Sequence, residues 1–343
     1  MNSPVGIEAV SDFVSAGSML DASSVTKRAV VGSNSSGMLK FSAPVKIYDD
    51  ESITGGTNKI LREIRIGTRS SSLSVAQTNI IAEEIMKIHP EIMITLVKIK
   101  TSGDKHLLPF SNNPNGIKGM FTLELEEALM NHEIDFAVHS LKDLPARINP
   151  SLPIIAYSNR EDPRDALIMK REGTIATSSL RRKLQLERLY PDRKIVSVRG
   201  NVNSRIQKMV DNQYDGLVLA VSGLKRLGLQ DRITKIFTVD EIMPAPGQGI
   251  LVCQGRIDDD YGYLECVNDE CSRDCAIAER SFSRSLNAGC NVPVGAYAVV
   301  HDDMLTLRGI YIDESTNRFY EGNITGRRCE AESLGERLSE VII

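Results

Sequence analysis

The chain has 343 residues, 41% of them hydrophobic and 25% charged, with a formal net charge of −4. That length suggests two or three domains of roughly 100–200 residues each, and the composition is ordinary for a soluble globular protein. The mild acidity makes a nucleic acid or an acidic membrane a poor default partner, and no apolar stretch approaches the roughly 20 residues that a membrane span needs.

Residues 1–58 are rich in Ser, Gly, Ala and Asn, as in Ser33-Asn34-Ser35-Ser36-Gly37, and read as a poorly ordered extension. An organelle transit peptide is also Ser-rich, but Glu8, Asp12, Asp21 and the scarcity of arginine speak against one. Residues 1–20 lack the basic start and apolar core of a secretory leader. From Leu61 onward strand and helix patterns alternate. A strand is predicted at 61–66, and Leu73, Ile80, Ile81, Ile85 and Ile88 fall near helical spacing up to His89-Pro90. Further strands are predicted at 92–99, 134–138, 154–157, 166–169, 175–176, 195–198 and 217–221, with a helix over 121–130. Boundaries are expected at Glu161-Asp162-Pro163-Arg164 and at Pro244-Ala245-Pro246-Gly247-Gln248-Gly249. After Asp258 a shorter unit is expected, with a helix over about 271–286 and strands at 294–300, 305–311 and 319–324. The alternation argues for α/β domains with largely parallel sheets.

Several of these strands end in the same way. Small polar residues and an arginine follow, and a helical pattern then begins: Gly67-Thr68-Arg69-Ser70-Ser71, Thr177-Ser178-Ser179-Leu180-Arg181-Arg182, Arg199-Gly200-Asn201 with Arg205 beyond, and Ser222-Gly223-Leu224-Lys225-Arg226. Helix N-termini attract anions, and a guanidinium fork matches a carboxylate in a bidentate way. Ligands of open α/β sheets bind at the carboxyl ends of strands, where these corners lie. The pattern therefore points to a ligand with many carboxylates.

The strand at 134–138 runs into His139-Ser140-Leu141-Lys142-Asp143-Leu144-Pro145. Asp143 beside Lys142 could act as an acid–base or electrostatic group, although Asp before Leu-Pro is also ordinary turn chemistry. Lys118, before a helix, could reach an anion or be a solvated loop lysine. Cys290, in Gly289-Cys290-Asn291-Val292-Pro293, lies on a Gly-flanked loop where a thiol can serve as anchor or nucleophile, or as a small turn residue. The six cysteines all fall in the last third of the chain and read as reduced thiols. Cys266, Cys271 and Cys275 lack paired metal spacing and a nearby histidine, so no metal site is expected. No phosphate-binding P-loop is present, and Gly247 and Gly249 lack the rest of a dinucleotide fingerprint.

Taken in order from about Arg62 to at least Gly309, these segments resemble the porphobilinogen deaminase (hydroxymethylbilane synthase) family. The segments that carry the resemblance are Ile66-Gly67-Thr68-Arg69-Ser70-Ser71-Ser72-Leu73, Val138-His139-Ser140-Leu141-Lys142-Asp143-Leu144-Pro145, Ser178-Ser179-Leu180-Arg181-Arg182, Val198-Arg199-Gly200-Asn201, Ser222-Gly223-Leu224-Lys225-Arg226-Leu227-Gly228 and Gly289-Cys290-Asn291-Val292-Pro293-Val294-Gly295. The resemblance implies an α/β fold of two domains like type II periplasmic binding proteins plus a small C-terminal α/β domain. The domains would span 59–160 with 249–266, 161–248, and 267–343. It implies a dipyrromethane cofactor bound by a thioether to Cys290 and contacted by Lys118, Ser140, Lys142, Ser178, Ser179, Arg181, Arg182, Arg199, Gly200 and Arg205. Arg69, Ser71, Arg199 and Arg226 would bind porphobilinogen, and Asp143 would be catalytic. A cytoplasmic monomer without nucleic-acid or membrane partners is expected, with plastid import left open.

The chain departs from the family pattern in places. Only Lys170-Arg171-Glu172-Gly173-Thr174 stand where a short helical insert is usual, Ile250-Leu251-Val252-Cys253-Gln254-Gly255 replaces an apolar-Gly-apolar run, and Pro114 stands where a second lysine is common. Residues 1–58 have no family counterpart. A catalytically impaired paralogue and a carboxylate-binding two-lobed protein are the competing readings; a pure binder would need neither Cys290 nor Asp143.

Overall fold

A computed structural model describes residues 62–100, 122–286 and 292–343. Strands β1 (Arg62–Arg69), β2 (Ile92–Ile99), β3 (Phe136–Ser140) and β4 (Ile154–Tyr157) belong to one five-stranded sheet. Its order is β2-β1-β3-β10-β4, where β10 (Leu251–Gly255) runs antiparallel between β3 and β4. β1 pairs with both β2 and β3 in parallel. Helix α1 (Ser72–Ile88) starts where Ser71 accepts the Ser74 N–H, and it lays Ile81 and Ile85 on Ile64, Ile66 and Phe136. Helix α2 (Leu123–Met130) covers the other face through Leu125 and Leu129.

A second sheet repeats the same plan. It contains β5 (Asp165–Met169), β6 (Ile175–Thr177), β7 (Ile195–Ser197), β8 (Gly216–Ala220) and β9 (Lys235–Ile236) in the order β7-β6-β8-β5-β9. Here β5 is the antiparallel strand. Helices α3 (Leu180–Leu189), α4 (Val202–Val210) and α5 (Val221–Arg226) follow β6, β7 and β8. Both sheets are thus mixed: the predicted parallel strands are present, and each sheet also takes in one strand of opposite direction. The short stretch between β5 and β6 is closed by Asp215. Its carboxylate accepts the Arg171 Nε at 2.5 Å and the Thr174 N–H at 2.9 Å, while its carbonyl accepts the Lys170 N–H at 2.8 Å. Five residues suffice because Asp215, just before β8, holds both ends of the stretch, one through its carbonyl and the other through its side chain.

The chain passes between the two sheets twice, at 158–164 and 237–250. The two crossings hydrogen-bond to each other, with the Glu161 N–H donating to the Gly249 carbonyl at 3.2 Å. Gly249 has φ +97°, and a Cβ there would lie 2.2 Å from the Glu161 carbonyl oxygen, so only glycine suits this crossing.

The third unit is an antiparallel sheet of β11 (Val294–His301), β12 (Met304–Asp313) and β13 (Arg318–Arg327), packed under helices α6 (Glu270–Ser285) and α7 (Ala331–Ile342). α7 was not predicted. It approaches α6 so closely that a Cβ on Gly335 would meet the Ala278 carbonyl oxygen at 2.5 Å. A buried carboxylate joins this unit to the crossings. Glu279 on α6 is fully buried and accepts from Arg160 at 2.6 and 3.2 Å and from the Gly247 and Ala298 N–H groups, each at 2.7 Å. Glu279→Ala should therefore cost about 3–5 kcal/mol, because it strands the Arg160 charge and two buried N–H donors. Urea unfolding checks this, and a loss under 1 kcal/mol would reject the assignment.

Candidate active site

The end of β3 forms a 3-10 turn over Leu141–Asp143, closed by the Leu144 N–H on the Leu141 carbonyl at 3.1 Å. Leu141 and Leu144 are buried at 0% and 1% exposure, so they pin the turn from both sides and leave Asp143 between them facing solvent. Asp143 borders two adjoining hollows. Arg69, His139 and Ser140 line the first with it, and Lys142, Ser222 and Arg226 line the second. Gln77 of α1 reaches both hollows and donates to Ser140 Oγ at 2.8 Å.

Beneath the second hollow lies a buried ionic cluster. Asp165, fully buried at the start of β5, accepts from Arg181 at 2.9 Å, from Arg182 at 2.7 Å and from the Gln248 amide at 2.6 Å. Burial disfavours the Asp165 carboxylate, but Arg182 and Arg181 outweigh it and hold the group far below the usual carboxylate range. Arg181 also donates to the Met243 carbonyl, and the Gln248 amide to the Pro163 carbonyl at 2.6 Å. Lys142 Nζ donates to Gln248 Oε1 at 3.2 Å, which links the Asp143 turn to the cluster. Burial, helped by Arg182, brings the Lys142 pKa down to about 8. Arg181 and Arg182 therefore do not stand open at their corner. Both are buried, and the carboxylate they hold is an internal one.

The remaining predicted residues are spread along the strand ends. Ser179 caps α3 and Ser71 caps α1, while Ser178 is exposed. Gly200 has φ +116° ahead of α4, and Arg199 is exposed beside it. Arg205 is half-buried within electrostatic reach of Asp143, with its pKa lowered to about 10 by burial and by Arg182. Arg226 donates to the Gly249 carbonyl at 2.6 Å, and burial lowers its pKa to about 10. Both values leave these side chains charged at neutral pH. Ser71, Ser178, Ser179, Arg181, Arg182, Arg199, Gly200 and Arg205 do not line the two hollows. Lys118 and Cys290 lie outside the described residues. Among the described residues no group of three His, Cys, Asp or Glu side chains could hold a metal.

Sequence reasoning passed over Gln77, Asp165 and Gln248. Gln77 interrupts the inward face of α1 with a polar residue four positions before Ile81, and that interruption was the available signal. Asp165 opens an apolar run. Its partners lie 16 and 17 residues away, so spacing alone could not connect them.

Known proteins match this sequence over most of its length. Residues 64–262 match the family model for the porphobilinogen deaminase dipyrromethane cofactor binding domain, and residues 274–343 match the porphobilinogen deaminase C-terminal domain. A porphobilinogen deaminase of Ruminiclostridium josui is 42% identical over 282 residues, covering 81% of this chain and 97% of that protein. One from Acetivibrio thermocellus is 43% identical over 284 residues, again 81% and 97%. One from a Nostoc species is 38% identical over 304 residues, covering 84% of this chain and 94% of its own.

Proposed function

The chain belongs to the porphobilinogen deaminase family, and from that premise we infer that it is a hydroxymethylbilane synthase. It condenses four porphobilinogen molecules in turn, releases ammonia at each addition and frees the linear tetrapyrrole by hydrolysis. The observation that carries the reading is the set of cations, Arg69, Lys142, Arg205 and Arg226, gathered around the one carboxylate of Asp143.

Porphobilinogen carries an acetate and a propionate arm, so each addition brings two more carboxylates to the site. The cations lining the hollows suit a dipyrromethane for the same reason, and outside that lining, within electrostatic reach of Asp143, Arg205 Nε is buried without a partner among the described residues. Arg205 and Lys142 would hold its carboxylates, with Cys290 as the covalent anchor. When bound, the dipyrromethane supplies a free pyrrole α-carbon as nucleophile.

The side chains divide the remaining work. Arg69 and Arg226 hold the arms of the incoming substrate by charge-assisted hydrogen bonds. Asp143 faces the aminomethyl carbon, where positive charge develops as ammonia departs. Its fixed carboxylate lowers the energy of that cation most where water is kept out. The turn holds Asp143 in place before substrate arrives, so little reorganisation is needed at the moment of reaction.

The reading extends to a cytoplasmic monomer. The net charge of −4 and the five described cysteines, all free thiols, support a reducing compartment without a polyanionic partner. Purified protein should colour with Ehrlich's reagent and carry extra mass equal to one dipyrromethane. Cys290→Ser should abolish both; a colourless wild type with the mass of the bare chain would refute the reading.

A further inference from the structure

One polar group in the first hollow has no task in the scheme above. His139, on β3, is 6% exposed and lines the hollow with Arg69 and Asp143. In the pairing of β3 with β10, Ala137 faces Gln254 and His139 faces Val252, so His139 and Gln254 are diagonal neighbours on one sheet face. Diagonal neighbours on one face stand close enough for long side chains to meet. Two buried polar atoms at this spot have no hydrogen-bond partner among the described residues, His139 Nε2 and Gln254 Oε1.

The Gln254 amide cannot turn around. Its Nε2 donates to Glu126 Oε1 at 3.1 Å and to the Leu152 carbonyl at 3.0 Å, which uses both amide hydrogens. Oε1 is therefore the atom offered to the imidazole, and it can only accept. The ring nitrogen that meets it must carry the hydrogen. Burial lowers the His139 pKa to about 4, and Arg69 adds to this, against the opposing effects of Gln254 and Asp143. The ring is then neutral at neutral pH, with one hydrogen, on Nε2. Nδ1 is left as a lone pair.

We propose that His139 is a further substrate-binding residue: Glu126 and Gln254 fix its imidazole as the Nε2–H tautomer, and Nδ1 accepts an N–H of the pyrrole bound beside Asp143. Neighbouring cations, Arg69 among them, take the carboxylate arms, whereas a neutral acceptor selects the nitrogen side of the ring. Gln254 acts through His139 and is a positioning residue. The proposal rests on the assigned reaction, since that reaction supplies the pyrrole.

The test joins a spectroscopic and a kinetic measurement on the full-length holoenzyme. Nitrogen NMR of [15N]histidine-labelled protein, with His139 assigned from the His139→Gln spectrum, should show protonated Nε2 and bare Nδ1 at neutral pH. Gln254→Leu should release that preference and give a mixture of tautomers. His139→Phe, which keeps ring bulk and loses the acceptor, should lower kcat/KM for porphobilinogen by about 10- to 100-fold, mostly through KM. His139→Asn, which returns a polar atom near the place of Nδ1, should recover most of that loss. A wild-type ring protonated at Nδ1, or His139→Phe kinetics equal to wild type, would overturn the proposal. Should His139→Phe fail to fold, the tautomer decides alone. A wild type without dipyrromethane or turnover would refute the assigned reaction instead, and the tautomer would still be read independently of it.

Discussion

Asp165→Asn should destabilise the protein by about 3–5 kcal/mol, the cost of removing one partner from a buried ion pair. Two guanidinium groups depend on this carboxylate. Arg181 and Arg182 are each 5% exposed, and nothing else carrying negative charge bonds them among the described residues. Asparagine keeps the shape and some of the hydrogen bonds but leaves the two positive charges without an anion. Urea denaturation reads the loss as a lower midpoint at unchanged slope. The exposed Lys183–Glu187 pair provides the contrast, since both side chains are 43% exposed and Lys183→Ala should cost no more than about 0.5 kcal/mol. The pH dependence follows from the direction of the shift. A carboxylate whose folded pKa is depressed contributes fully above its unfolded value of about 4, and loses that contribution as the pH falls through the lower folded value. Titration from pH 7 to pH 5 should therefore leave this part of the stability intact. Equal losses for the buried and surface variants would show that the cluster is not the anchor described.

The second large effect is catalytic. Asp143→Asn should lower kcat by about 10³-fold or more, while the unfolding midpoint and the bound dipyrromethane stay as in the wild type. Asp143 is exposed at the end of its turn, and the fold there rests on Leu141 and Leu144, so the substitution leaves the packing alone. The amide is nearly the same size as the carboxylate but cannot stabilise a developing cation in the same way. Steady-state kinetics together with intact mass separates the roles. A normal mass with almost no turnover supports the electrostatic role, and a kcat within a few-fold of wild type would exclude it.

Much of this architecture could be read from residue patterns. The β-branched runs gave strands close to their observed places because burial on both sheet faces demands continuous apolar sequence, as in β8, where every residue is buried. The helix starts at Ser71, Ser179 and Asn201 follow from capping chemistry that is local in sequence. Long-range pairing was less legible. Neither the insertion of β10 between β3 and β4 nor that of β5 between β8 and β9 leaves a mark in its own segment. α7 was overlooked although Leu334, Leu338 and Ile342 repeat every four residues, a pattern at the very end of the chain. In the site, the arginine corners were visible, but their division into two groups was not. Arg205 and Arg226 remain beside Asp143, whereas Arg181 and Arg182 turn inward to a carboxylate that only the fold brings to them. Charge type can be read one residue at a time; the partner that neutralises it depends on topology.

The central claim is that a lengthening, carboxylate-rich pyrrole chain remains covalently attached while the cations around Asp143 accommodate it. Intact mass of the holoenzyme mixed with limiting porphobilinogen tests this most directly. The account predicts a series of up to four equal increments above the resting mass, each the size of one porphobilinogen less ammonia. A single unchanged mass while tetrapyrrole accumulates free in solution would contradict it.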